Sequence, residues 1–280
     1  MKQNIGFMQG RLSPIIDGKI QAFPTKHWQQ EFKQAQDIGL QLIEWTLDQT
    51  GLHENPFLTQ HGQEEIRSLC KQHLVTIPSV TGDCFMQAPF WKANGTERKS
   101  LQRDFISIAN ASSALGVQYI VVPLVDGGRL ERRSEEDLLI SFLTDQTAFF
   151  AKTNLKIVFE SDFTANDLAR FIDRFPATYF GINYDTGNSA ALGYDHKAEF
   201  EAYGDRILNV HIKDRVLGGT TVPLGEGATN YEVIFDQLAA IDYQGNYILQ
   251  TARASKNNHG EVLASYRDMV IEWIQHAKPG

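Results

Sequence analysis

Cysteine is nearly absent from this chain. Cys70 and Cys84 are the only two in 280 residues. They form no Cys-x-x-Cys pair, so no disulfide framework is expected, and a reducing compartment fits. An excess of cationic residues is missing too. The formal net charge is −8, which argues against a grip on nucleic acid, because that needs clustered Lys and Arg. It leaves room for a local basic pocket around a small anion. No run approaches the roughly 18 apolar residues of a membrane span. The segment Met1–Met8 turns polar too quickly for a signal peptide. These absences predict a cytoplasmic protein with neither a membrane nor a nucleic acid as partner. No glycine-rich dinucleotide fingerprint follows the first apolar run, and no Gly-x-Ser-x-Gly or His-Glu-x-x-His element occurs. Low-complexity segments and linkers are missing, so residues 1–280 read as a single domain.

What is present is alternation. Strand-like apolar runs are predicted at residues 5–8, 42–45, 75–80, 119–123, 155–159, 180–184, 207–211 and 247–250. Helix-like amphipathic runs are predicted at 28–38, 64–73, 98–115, 135–152, 165–174, 199–203, 232–240 and 261–276. Gly39 and Gly116 read as helix stops, and Ser134 and Thr164 as caps. Alternation of this kind implies a parallel sheet. Eight units in a chain of this length favour a closed (β/α)8 barrel, an α/β fold of roughly 250 residues, over an open sheet.

Four of the later strands end on a polar residue that can bind metal: Glu160, Asp185, His211 and Gln250. In a closed barrel the carboxyl ends of the strands surround one mouth. Taken singly, such a residue is more often a cap or a solvated loop group. Taken together, two carboxylates, an imidazole and an amide oxygen make a shell for a divalent ion. Lys213 and Arg215 follow His211 and suit an anion or a hydroxyl, with salt bridges to nearby loops as the alternative. Arg11 and Arg253 lie just past the first and last strands. They could hold a phosphate or carboxylate, although ion pairing is the commoner fate of such residues. Glu44 ends the second strand, placed for a substrate hydroxyl or for Arg11. Trp45, Phe85, Phe90 and Trp91 are core candidates before they are a sugar-facing wall. Cys84 has no paired base and is discounted as a nucleophile.

The motifs Phe159-Glu160, Tyr184-Asp185-Thr186-Gly187-Asn188, His211-Ile212-Lys213-Asp214-Arg215 and Val222-Pro223-Leu224-Gly225-Glu226-Gly227 carry a further signal. With them the chain resembles the xylose isomerase-like TIM barrels, in particular the sugar phosphate isomerases/epimerases and ketose 3-epimerases. The resemblance covers nearly the whole chain. It implies a metal-dependent isomerase or epimerase acting on a sugar or sugar phosphate through an enediolate. It implies one divalent ion (Mn²⁺, Mg²⁺, Co²⁺ or Zn²⁺) held by Glu160, Asp185 and His211, with Glu160 also an acid/base. Asn188 would bind a substrate hydroxyl, and a homo-oligomer is the common arrangement. Two positions depart from the pattern. Gln250 stands where the family has a second Glu, and an amide cannot shuttle a proton at neutral pH. Asn188 stands where a His is frequent. The metal site should therefore be weaker or more selective. Lys213, Asp83 and His27 are the candidates to replace the missing base. The alternatives are a metal-dependent sugar or cyclitol dehydratase on the same barrel and a catalytically impaired sugar-binding relative. An abasic-site endonuclease would need more His ligands and a basic groove.

Overall fold

The computed structural model describes residues 4–278. Eight strands close into one parallel barrel in chain order. They are β1 Ile5–Met8, β2 Leu42–Thr46, β3 Thr76–Thr81, β4 Tyr119–Leu124, β5 Lys156–Ser161, β6 Phe180–Asp185, β7 Ile207–Ile212 and β8 Asn246–Leu249. Phe7 closes the ring, registered with Leu249 on one side and Ile43 on the other. Parallel neighbours require long crossovers. Here these contain α1 Trp28–Asp37, α2 Gln60–His73, α3 Asp83–Gln87, α4 Gly95–Leu115, α5 Arg133–Asp145, α6 Thr147–Thr153, α7 Ala165–Ile172, α8 Thr186–Leu192, α9 His196–Tyr203 and α10 Tyr231–Ala240, and α11 His259–His276 follows β8. The barrel expected from the alternation is the one found.

Successive side chains on a strand point to opposite faces. Trp45 points outward, with its ring 5.5 Å from that of Trp28 on α1. Phe159 also points outward, 5.1 Å from Phe171 on α7. Between strands and helices the core is therefore rich in packed aromatic rings. The intervening residues point to the barrel axis, and near the mouth these are polar: Glu44, Ser79, Glu160, Asn183, Asp185, Asn209 and His211, all buried.

Several elements differ from expectation. The predicted helix at 135–152 is two helices, broken at Gln146 (φ −89°, ψ 2°). Its N-cap is Arg132, and Ser134 lies inside the first turn. Thr164 does cap α7, accepting from the amide of Asp167. Helices α3 and α8 were not anticipated. Each is short, and α8 is built largely of small residues with no amphipathic stripe. Asp185 nevertheless starts α8 by accepting from the Asn188 amide at 2.8 Å, and Gly193 ends it in the left-handed region.

Candidate active site at the barrel mouth

The loops after β1, β3, β4 and β7 surround a cavity of about 860 Å³, within the size range of small-molecule sites. Glu160, Asn188, Lys213, Arg215, Gln250, Arg11 and Asp83 all line it. Beneath it, one oxygen or nitrogen each from Glu160, Asp185 and His211 lie within 4.8 Å of one another. The strand ends thus bring together the three residues proposed as metal ligands.

His211 organises this cluster. Its Nε2 is 2.7 Å from Glu44 Oε1. Its Nδ1 is 3.1 Å from Glu160 Oε2 as an ion-pair contact, yet it has no aligned hydrogen-bond partner and is fully buried. Burial would push the imidazole down, but the charges of Glu44 and Glu160 outweigh this and raise it to about 10. Burial likewise pushes Glu160 up. The imidazolium of His211 and the nearby Lys213 overcome that and hold the carboxyl below its usual range. Asn188 Nδ2 donates to Glu160 Oε1 at 2.8 Å, and Asn183 Nδ2 to Oε2 at 3.2 Å.

Glu44 therefore sits below the cavity and not in it. Ser79 Oγ (2.6 Å) and Asn209 Nδ2 (3.0 Å) donate to its Oε2. It reaches neither the cavity nor Arg11, the two partners expected of it. Its partner is His211, an arrangement in which a carboxylate orients an imidazole and sets which nitrogen faces a metal. Asn183 and Asn209 belong to the same layer, and strand-end reasoning overlooked them. Their signal was the repeated polar-x-polar ending, Asn183-x-Asp185 and Asn209-x-His211, which a half-polar barrel interior requires.

Lys213 Nζ donates to Asp185 Oδ2 at 2.9 Å and to Asn188 Oδ1 at 3.3 Å. Arg215 donates to Asn188 Oδ1 at 2.9 Å and to the Gly219 carbonyl. Gly187 lets α8 approach this arm, because a Cβ there would sit 2.8 Å from Lys213 Cγ. The motif at 222–227 also has a mechanical reason. The buried carboxylate of Asp214 accepts from the amides of Gly225 (2.9 Å), Gly227 (3.0 Å) and Thr229 (3.1 Å). The loop is wrapped on one side chain, and a Cβ at Gly227 would collide with it.

The two arginines do not form an open anion clamp. Arg11 donates to the Thr251 carbonyl (2.9 Å), the Ile20 carbonyl (3.0 Å) and Gln21 Oε1 (3.3 Å). Arg253 donates to the carbonyls of Gly10 and Ser13. Both fasten the loop after β1. Burial and the neighbouring Arg253 lower Arg11 to about 9. Gln250 Nε2 donates to Gln21 Oε1 at 3.0 Å, which leaves Gln250 Oε1 buried without a partner. Trp45, Phe85, Phe90 and Trp91 are buried packing residues outside the cavity lining. Burial pushes the Cys84 thiol up, as befits an inert residue.

The family profile described as xylose isomerase-like TIM barrel matches residues 32–269. The chain belongs to that family. An L-ribulose-5-phosphate 3-epimerase, UlaE, of Salmonella paratyphi A is 32% identical over 93 residues, which is 33% of this chain and 33% of the relative. The match thus spans about a third of that enzyme's length. Among solved structures, the fold matches D-allulose 3-epimerase from Methylomonas sp. in complex with D-allulose (TM-score 0.73, 14% identity, 96% of each chain). It also matches an IolI protein with a bound zinc atom (TM-score 0.75, 15% identity, 99% of this chain and 100% of that one). At these identities the two structures speak for the fold alone. Among the described residues, no helix is long and apolar enough to cross a membrane.

Proposed function

We propose that this protein is a divalent-metal-dependent isomerase or epimerase acting on a sugar or sugar phosphate through an enediolate, with Glu160 as an acid/base. The observation that carries the reading is the convergence of Glu160, Asp185 and His211 under the cavity, with the buried Nδ1 of His211 lacking a hydrogen-bond partner. Two carboxylates and an imidazole held by Glu44 on its other nitrogen suit Mn²⁺, Co²⁺ or Zn²⁺, and Mg²⁺ less well. The free Oε1 of Gln250 is a further oxygen for such an ion. A bound ion supplies Lewis-acid polarisation of a substrate carbonyl.

The chain's own residues do the rest. Glu160 lines the cavity, and its carboxylate can accept a proton from a carbon next to that carbonyl. Asn188 and Lys213 line the cavity beside Glu160, where their remaining N–H groups can donate to substrate oxygens, and residues of the loops after β1 and β7 complete its wall. A substrate bearing phosphate would place it toward Arg215 and Lys213. The family membership and the short UlaE match support a sugar as the substrate class.

The test is to measure divalent metal in protein purified without chelator or a histidine tag, then to assay the Mn²⁺-loaded protein on ketoses and their phosphates. Near one equivalent of metal with turnover is expected, and Glu160→Gln should lower turnover by about 10²-fold or more. Stoichiometric metal without turnover in the wild type would favour the sugar-binding alternative that Gln250 suggests. No metal after soaking with Mn²⁺, Co²⁺ and Zn²⁺ would overturn the reading.

A further inference from the structure

The mouth divides into two arcs. On one, β5 to β7 carry Glu160, Asp185, His211 and Lys213. On the other, the loops after β1 and β3 and the end of β8 carry Arg11, Gln21, Asp83 and Gln250. All of the second group lie on the wall of the cavity that Glu160 also lines. Gln21 joins the second arc: its Nε2 donates to Asp83 Oδ2 at 2.5 Å, and its Oε1 accepts from Gln250 at 3.0 Å. A carboxyl group thus stands one glutamine side chain away from the amide at the end of β8. Resting on the isomerase/epimerase reading of this site, we propose that Asp83 is the second proton-transfer group of the reaction, acting from the wall of the cavity that Glu160 also lines, and that the reaction is an epimerisation.

The other two candidates drop out on geometry. Lys213 is paired with Asp185 on the same arc as Glu160. His27 is the residue before α1 and does not line the cavity. Asp83 is buried in the first turn of α3 with its side chain at the cavity wall. The groups around it are Gln21 and Arg11 from the loop after β1, Asp48 from the loop after β2, Glu160 of β5, and the Cys84 thiol of its own helix. Burial, then Asp48 and Glu160, push its carboxyl up against the opposing pull of Gln21 and Arg11, to about 7. An acid poised there both gives and takes protons near neutrality. In the forward direction Glu160 takes the proton from the carbon beside the carbonyl, and the C–H electron pair enters the enediolate. Asp83 then delivers a proton to the same carbon from the other face, and that pair forms the new C–H bond. Asp83 is left ionised and Glu160 protonated. Both are reset by exchange with water, and no oxidant or reductant is needed.

The experiment uses the full chain loaded with Mn²⁺ and, in D₂O, a panel of free and phosphorylated ketoses that includes L-ribulose 5-phosphate and D-allulose. The wild type should form the epimer with one solvent deuteron at the inverted carbon. Asp83→Asn should lose about 10²-fold or more of epimer formation while keeping its metal content. Through Glu160 it should still exchange the substrate's carbon-bound hydrogen for deuterium. Asp83→Glu should recover part of the epimerisation. In ¹³C-carboxyl NMR, one aspartate should titrate near neutral pH and be missing from Asp83→Asn. Epimerisation by Asp83→Asn at the wild-type rate overturns the proposal alone. So does loss of exchange together with epimerisation, or the absence of that titration. A wild type silent in both turnover and exchange overturns the isomerase/epimerase reading and the proposal with it.

Discussion

Glu31 on α1 shows how one buried carboxyl can set a pH response. Its oxygens accept from the amides of Gly10 (3.0 Å) and Leu12 (3.1 Å), which anchors the loop after β1. Burial pushes the group up to about 7, more than those amides and Arg253 pull it down. The folded state therefore favours the protonated form. Its stabilising contribution is full below the ordinary carboxyl pKa of about 4.5 and is lost as pH rises through about 7. Glu31→Gln has no such proton to lose. The Tm difference, wild type minus variant, should fall between those two pH values, at roughly 2–4 °C for each kcal/mol lost. Parallel melting curves across that range would show that Glu31 is not the group. At the same scale, Glu44 teaches that a strand-end carboxylate serves substrate or protein according to depth. A residue reading could place it at the mouth, but only packing shows it underneath His211.

At the scale of elements, the strands explain why so much of the barrel was readable. Buried parallel strands are continuous apolar runs, and β1 was placed without error at both ends. Helices with an apolar stripe, such as α1 and α7, were equally legible. Helix α8 was not, because it is held by Asp185, Gly193 and contact with Lys213 and not by an apolar face. Helix α2 ends on Leu74, which is in the left-handed region (φ 56°, ψ 37°) and 72% exposed. That conformation costs an L-residue about 1–2 kcal/mol, and its exposed side chain offers little packing in return. Leu74→Gly should raise stability by about 1 kcal/mol, read as a higher denaturant midpoint at unchanged m-value. A lower midpoint would mean that the leucine packs better than its exposure suggests.

For the whole molecule, the mouth is a place where several distant segments meet. Glu44 and Asn209 touch across the barrel, and Gln21 touches Gln250 from the far end of the chain. Such a cluster of buried carboxylates exists only in the folded state, so a cation bound there is linked to folding. Mn²⁺ at about 100 times its dissociation constant should stabilise the protein by about 2.7 kcal/mol. A chelator should reverse the resulting rise in Tm, and His211→Ala should show no rise. A Tm that ignores Mn²⁺ in the wild type would count against the metal site. The anion clamp expected of Arg11 and Arg253 also fails at this scale. Both guanidiniums are taken up by carbonyls of loops and strand ends that come together only on closure of the ring.

The sequence by itself determined the strand–helix alternation, the closed barrel and the four strand ends at one mouth, because hydrophobic periodicity and strand direction are local properties of the chain. It also showed that Gln250 cannot transfer a proton, since that follows from the chemistry of an amide. Only the tertiary structure decided that Glu44 lies beneath His211, that Arg253 holds a loop, and that Asp83, held by Gln21, lines the same cavity as Glu160. Those outcomes depend on depth along the barrel axis and on contacts between loops far apart in sequence. Neither has a period or a spacing that a linear reading can detect.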